Sequence, residues 1–288
     1  MRREAFQTPG PLALDIRLPA GRAQIETSET TETVVALEPL RGNEASEQAV
    51  ADARVELRDR PAGGQELAIA IDERRSFGFW RGAEVRVRVR CPHGTSVEGH
   101  GGSADFEGQG RYGALRISTA SGDVEFAQIE REANVNSASG DVALGIVGRE
   151  TEISTASGDV AIVDAGGRTE INSASGDVRV EKVRGALTAH TASGDVLVRE
   201  AESSVTVKSA SGDQRVDSAV SGEVKLQSAS GDIHVGVRSG TKVWMDVHSR
   251  SGEARSDLDV GDVPPPEGGP ELSVRASSMS GDIEIVRA

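Results

Sequence analysis

The chain has 288 residues, a formal net charge of −14, 34 glycines, 3% aromatic residues and a single cysteine, Cys91. The acidic balance excludes a phosphate-backbone grip, which needs clustered lysine and arginine, and one cysteine excludes an internal disulfide. The first residues lack the apolar stretch of a secretory signal and no run approaches a membrane span, so a cytoplasmic, soluble chain is expected.

In chain order, Leu12, Leu14, Ile16 and Leu18 alternate with polar neighbours before Pro19-Ala20-Gly21 turns the chain. Leu67, Ile69 and Ile71 alternate in the same way, as do Val85, Val87 and Val89. Each pattern predicts a half-buried strand. Between them, Asn43 to about Val55 predicts one short helix, with Asn43 as N-cap and Glu44 and Glu47 in its first turns. A solenoid needs an atypical end unit, and residues 1–80 are expected to supply it, with the helix as lid. Arg86, Arg88 and Arg90, with Arg81 nearby, form a basic strand face. It would grip an acidic partner or, as the favoured reading, balance adjacent carboxylates at the surface.

From residue 103 the chain repeats. Ser-Gly steps begin at Ser121, Ser139, Ser157, Ser175, Ser193 and Ser211, all 18 apart, and continue at Ser230, Ser251 and Ser280 with spacings of 19, 21 and 29. Ser103-Ala104-Asp105-Phe106 is a degenerate first copy. After each corner an inward pair follows: Val124/Phe126, Val142/Leu144, Val160/Ile162, Val178/Val180, Val196/Val198 and Ile233/Val235. A second strand precedes each corner, centred on Ile117, Val135, Ile153, Ile171, Ala189, Val207 and Leu226. One supersecondary unit is therefore stacked on itself, with like strands paired in parallel about 4.8 Å apart. A left-handed hexapeptide helix also has 18 residues per turn, but six residues on from Ile117 lies Asp123, so its register fails. The expected fold is all-β: a right-handed parallel β-helix with coils of about 18 residues. Residues 1–95 are expected to form irregular strand-rich coils and a cap with the helix near 43–55. Residues 96–288 are expected to form the regular solenoid, with a Pro/Gly loop bulging at 261–270.

The corners carry the most regular chemistry. Gly122, Gly140, Gly158, Gly176, Gly194, Gly212 and Gly231 are expected to turn the chain through positive φ. Beside them run Asp123, Asp141, Asp159, Asp177, Asp195, Asp213 and Asp232, then Glu253 and Asp282. Neighbouring carboxylates in such a row repel by roughly 0.9 kcal/mol in water. Calcium at Asp141, Asp159, Asp177, Asp195 and Asp213 would relieve this. The Gly-Gly-x-Gly-x-Asp nonapeptides of calcium-binding β-rolls are absent, and the favoured reading is an Asx-turn in which each carboxylate bonds its own corner. Thr119, Ser137, Thr155, Ser173, Thr191 and Ser209 predict a stacked hydroxyl ladder, and alanines at 120, 138, 156, 174, 192, 210 and 229 predict a tight corner. An outward row, Ser118, Asn136, Ser154, Asn172, His190, Lys208, Gln227 and His248, lacks stacking aromatics and reads as a solvated sheet face.

These Ser-Ala-Ser-Gly-Asp-Val units behind an irregular strand-rich part resemble a bacterial β-strand-repeat family of unknown function that carries the label "putative adhesin". The resemblance is strong over roughly residues 95–288 and weaker over 10–95. It implies a right-handed β-helical solenoid without demonstrated catalytic residues. Because many members carry an export signal or anchor, it also implies a secreted or surface location as the alternative to the cytoplasm. The five histidines and Cys91 make no metal-ligand spacing, and no nucleophile elbow or phosphate loop appears. No enzyme activity and no cofactor are expected. The expected function is a non-catalytic scaffold or protein-interaction module. The alternative is an adhesin-like surface or glycan-binding module assisted by calcium. Ile283 to Val286 reads as a strand in an incomplete, uncapped last coil, which predicts self-association end to end.

Overall fold

The computed structural model describes residues 1–61, 63–71, 82–258 and 271–288. Arg81 and the 261–270 stretch lie outside the described residues. The chain divides into two compact units, Met1–Gly148 and Arg149–Ala288. Each is built on parallel β-solenoid coils, as the 18-residue period predicts.

The first unit contains β1 (Arg2–Gln7), β2 (Ala13–Ser28), β3 (Glu32–Pro39), α1 (Glu44–Asp52), β4 (Arg54–Asp59), β5 (Gln65–Ala70), β6 (Val85–Pro92), β7 (Thr95–Thr119), β8 (Val124–Ile129), β9 (Ala133–Ser137) and β10 (Val142–Val147). The long strand β2 turns a corner at Gly21, whose φ of +128° excludes most side chains. One edge of β2 pairs in parallel with β7, and the other pairs with β5 and β6. Spatial order therefore departs from chain order: the first coil lies inside, between the β5–β6 coil and β7. Leu14, Ile16, Leu18, Leu67, Ile69, Val87, Phe106, Leu115 and Ile117 fill its core, each at most 1% exposed. Phe106 fits because Gly99 faces it, and a Cβ there would come within 2.6 Å of the ring.

The outer side of the β5–β6 coil is covered. Strand β4 pairs antiparallel with β5, β3 pairs antiparallel with β6, and β1 extends the sheet from β3. Helix α1 packs on β3 and β6 and buries Ala49 and Val50. Its N-cap is Asn43, whose Oδ1 accepts from the Ser46 N–H at 2.8 Å. The buried Ser46 hydroxyl in turn accepts from the Glu84 N–H at 3.1 Å, tying the helix to the start of β6.

The second unit contains β11 (Thr151–Ser157), β12 (Val160–Ala165), β13 (Thr169–Ser175), β14 (Val178–Val183), β15 (Leu187–Ser193), β16 (Val196–Ala201), β17 (Val205–Ser211), β18 (Gln214–Ala219), β19 (Gly222–Ser230), β20 (Ile233–Val237), β21 (Lys242–Ser249), β22 (Ala254–Ser256), β23 (Glu271–Ser280) and β24 (Ile283–Arg287). From β11 to β18 each strand pairs in parallel with the equivalent strand one coil later. The inward valines and isoleucines of the repeat are accordingly buried.

The last two coils exchange places. Strand β23 pairs with β19 on one edge and β21 on the other, and β24 lies likewise between β20 and β22. The expectation that Ile283 to Val286 is the open end is thus corrected: Ile283 and Ile285 are at most 1% exposed. The corners supply the physical reason. Ser280-Gly281-Asp282 has the short carboxylate needed to receive a further coil, whereas Ser251-Gly252-Glu253 does not. Glu253 turns its longer side chain onto Arg255 instead.

Candidate functional site

The corner row is a staple between coils. The backbone N–H of Asp177 donates to Asp159 Oδ1 at 2.8 Å, that of Asp195 to Asp177 at 2.9 Å, and that of Asp213 to Asp195 at 2.8 Å. The series continues from Asp232 to Asp213, from Asp282 to Asp232 and from Glu253 to Asp282, at 2.8–2.9 Å. In the first unit Asp141 donates to Asp123, and Asp123 to Asp105, at 3.0 and 3.2 Å. The Asx-turn expectation is therefore corrected: the carboxylates of Asp123, Asp159, Asp177, Asp195, Asp213, Asp232 and Asp282 bind the corner of the neighbouring coil, not their own. A charge-assisted bond at each of these steps offsets the mutual repulsion of the carboxylates. Among the described residues, no three His, Cys, Asp or Glu groups converge into a metal cluster.

The corner glycines are needed for proximity more than for φ. A Cβ on Gly140, Gly176, Gly194, Gly212 or Gly231 would collide with the carbonyl oxygen of the glycine in the neighbouring coil, and one on Gly122 with that of Ala104. Positive φ holds at Gly176, Gly194, Gly212 and Gly231 but not at Gly122, Gly140 or Gly158, which corrects the uniform expectation. The hydroxyls also bond within their corners. Ser137 Oγ accepts from the Gly140 N–H at 2.9 Å, while Ser173, Thr191 and Ser209 donate to the carbonyl two residues on at 3.0–3.1 Å. The alanines at 120, 138, 156, 174, 192, 210 and 229 face solvent, so the tightness of the corner belongs to glycine alone.

The outward row is in register on the second unit's sheet, as Ser154, Asn172, His190, Lys208 and Gln227. Ser277, which sequence reading missed, then stands between Gln227 and His248. The basic strand face is paired: Arg86 and Arg88 reach Glu38 at 3.7 and 3.1 Å, and Arg90 reaches Glu26 at 3.3 Å. Behind them a groove of about 410 Å³ is lined by Arg3, Glu26, Val34, Ala36, Arg88 and Glu107, among others. Its Arg88, Arg90, Glu26 and Glu107 are spent on the sheet's own ion pairs, Glu107 with Arg22 at 3.2 Å.

Among the described residues, the outer edge of β21 and β22 is left unpaired. Its inward residues Val243, Met245 and Val247 are only half-buried. Their neighbours one coil in, Leu272, Val274 and Ala276, are at most 2% exposed. On the outer face Trp244 is 54% exposed. The Arg275 guanidinium lies 5.5 Å from its ring and is itself held by Glu223 at 2.7 Å. Lys242, Trp244 and Asp246 alternate along this edge, with Asp246 2.9 Å from His248. Sequence reading placed the open end at the C-terminus because it took chain order for spatial order.

No helix among the described residues is long and apolar enough to cross a membrane. No curated protein matches the sequence. Solved structures align along almost the whole chain at low identity. One is a "putative lipid binding protein" from Parabacteroides distasonis, with 15% identity, 98% of this chain and 96% of that one covered, and a TM-score of 0.46. Another is a "putative adhesin" from Bacteroides fragilis, with 13% identity, 99% and 96% coverage, and a TM-score of 0.38. A third is a "putative cell adhesion protein" from Clostridium sporogenes, with 9% identity, 100% and 99% coverage, and a TM-score of 0.29. The family model described as Toastrack DUF4097 matches residues 24–286, which take in most of both units, and the chain therefore belongs to the Toastrack DUF4097 family.

Proposed function

We propose that the chain is a non-catalytic β-solenoid scaffold that binds a protein partner by strand addition at the outer edge of β21 and β22. The observation that carries this reading is the row Val243, Met245 and Val247, which is core by its alternation yet half-open at the edge. An unpaired strand edge offers a partner main-chain hydrogen bonds, and alternate side chains supply apolar contact and selectivity. Trp244, more than half exposed and backed by Arg275, has the character of an interface anchor. The corner chemistry supports a scaffold role, since its carboxylates and glycines serve the stacking of coils.

The test is photo-cross-linking in the native cell. A p-benzoylphenylalanine at position 244 is expected to give a discrete protein adduct, and the same group at position 163, on the exposed side of β12, is expected to give none. Absence of any adduct at 244 would remove the reading.

A further inference from the structure

This inference rests on the strand-addition reading and names its partner: we infer that the strand added to β21 is the β21 of a second copy, antiparallel about a two-fold axis at Trp244. The argument starts from the edge sequence Lys242-Val243-Trp244-Met245-Asp246. Two identical edge strands related by a two-fold axis perpendicular to the sheet must run antiparallel, and an isologous contact must be complementary to itself. This segment is. Reflected about Trp244, Lys242 stands opposite Asp246 of the second copy and Asp246 opposite its Lys242, a pair of cross-strand salt bridges. On the inward face Val243 meets Met245 and Met245 meets Val243, while Val247 meets Thr241, so the centre of each half-open apolar row closes the other. The two indoles meet at the axis, each already backed by its own Arg275.

Neighbouring registers are worse. Centring on Met245 matches the inward row, Val243 with Val247, but on the outer face it sets Trp244 against Asp246 and Lys242 against His248. Centring on Val243 sets Lys242 against Trp244 and leaves Asp246 opposite Gly240. Only the Trp244 register matches opposite charges and keeps apolar residues facing each other. Lys242 stands half-buried on this edge, and Asp246, exposed and 2.9 Å from His248, would share its carboxylate between that imidazole and Lys242 of the second copy. A closed dimer is favoured over a filament because the outer coil at β5 and β6 is already covered by β1, β3, β4 and α1.

Charge exchange tests the register in the full chain by sedimentation equilibrium, with melting temperature as the folding control. Wild type is expected to form a dimer. Lys242→Asp alone and Asp246→Lys alone each place like charges opposite one another twice, and each is expected to weaken the dimer about tenfold or more. The double variant is expected to recover wild-type affinity to within about threefold, which a merely structural role for either residue would not produce. A wild type that stays monomeric at its highest soluble concentration overturns self-pairing. So does a dimer that ignores the single exchanges or is not rescued by the double. The cross-link at position 244 separates the two readings. An adduct of twice the chain mass supports both. An adduct with a different protein keeps strand addition and overturns self-pairing.

Discussion

The β5–β6 coil of the first unit and the β21–β22 coil of the second each stand outermost in a parallel ladder, and they meet that position differently. In the first, Leu67, Ile69, Val85, Val87 and Val89 are at most 2% exposed because antiparallel strands and α1 cover them. In the second, Val243, Met245 and Val247 follow the same alternation and remain half-open. The edge strands differ too. The covering strands are charged: β1 carries Arg2, Arg3 and Glu4, and β4 alternates Arg54, Glu56 and Arg58. Such edges resist pairing, whereas β21 presents tryptophan between single charges of opposite sign. A solenoid end is thus a choice between finishing the core within the chain and leaving it for a partner.

The largest expected effect tests that contrast directly. Ile69→Ala should cost about 3–4 kcal/mol, since it opens a cavity in a covered core. Met245→Ala should cost less than about 1 kcal/mol in the isolated chain, because little apolar area is withdrawn from water there. Urea unfolding of both variants measures the difference, and equal losses would show that the outer coil of the second unit is as closed as that of the first.

A second pair sharpens the comparison at the corners. Gly194→Ala should cost about 2–4 kcal/mol, because its φ is +125° and the new Cβ would collide with Gly176 between two fixed coils. Gly252→Ala meets Gly281 in the same way but lies in the outermost coil, which can shift, so about 1 kcal/mol is expected. Comparable melting temperatures for the two variants would mean that the outer coil is as rigid as the interior.

The covered unit should also be the alkali-sensitive one. Burial pushes the Cys91 thiol from 9.0 up to about 12, against a smaller opposing hydrogen bond from Thr95. The folded state keeps the thiol protonated while the unfolded chain releases its proton above pH 9. Stability supplied by this group is therefore complete below pH 9 and falls toward pH 12, at about 1.4 kcal/mol per pH unit. Burial also raises the Tyr112 hydroxyl, which donates to the Ile25 carbonyl at 2.6 Å. Urea melts from pH 8 to 11 should show the decline, and Cys91→Ala should flatten its first part. A small effect is expected at the lid: Asn43→Ala should cost about 1 kcal/mol by removing the N-cap of α1, read by thermal unfolding.

Much of the fold was legible because two periodicities reinforce one another. Alternation of Val124 with Glu125 and Phe126 assigns faces within a strand, and the 18-residue interval stacks those faces, so every inward pair named from the repeat is buried. Asn43 was legible as a cap because its side chain bonds locally. The partner of each corner aspartate was not. An acceptor beside a turn fits its own corner or the next one equally well in one dimension, and the 2.8–2.9 Å staples exist only once coils are stacked. The open edge was missed for a related reason: the change from aspartate to Glu253 is visible locally, but its consequence, that this coil lies beyond Ser280-Gly281-Asp282, appears only in the pairing of β23 with β19 and β21.

By itself, then, the sequence determined the parallel coil, its inward rows, its glycine corners and the helix with its cap, since each follows from residue type and short-range spacing. Tertiary structure alone decided the order of coils at either terminus, the residues each carboxylate serves and where an apolar row remains open. Those depend on which strand edge is free to receive which segment, and contacts between residues dozens of positions apart settle that competition.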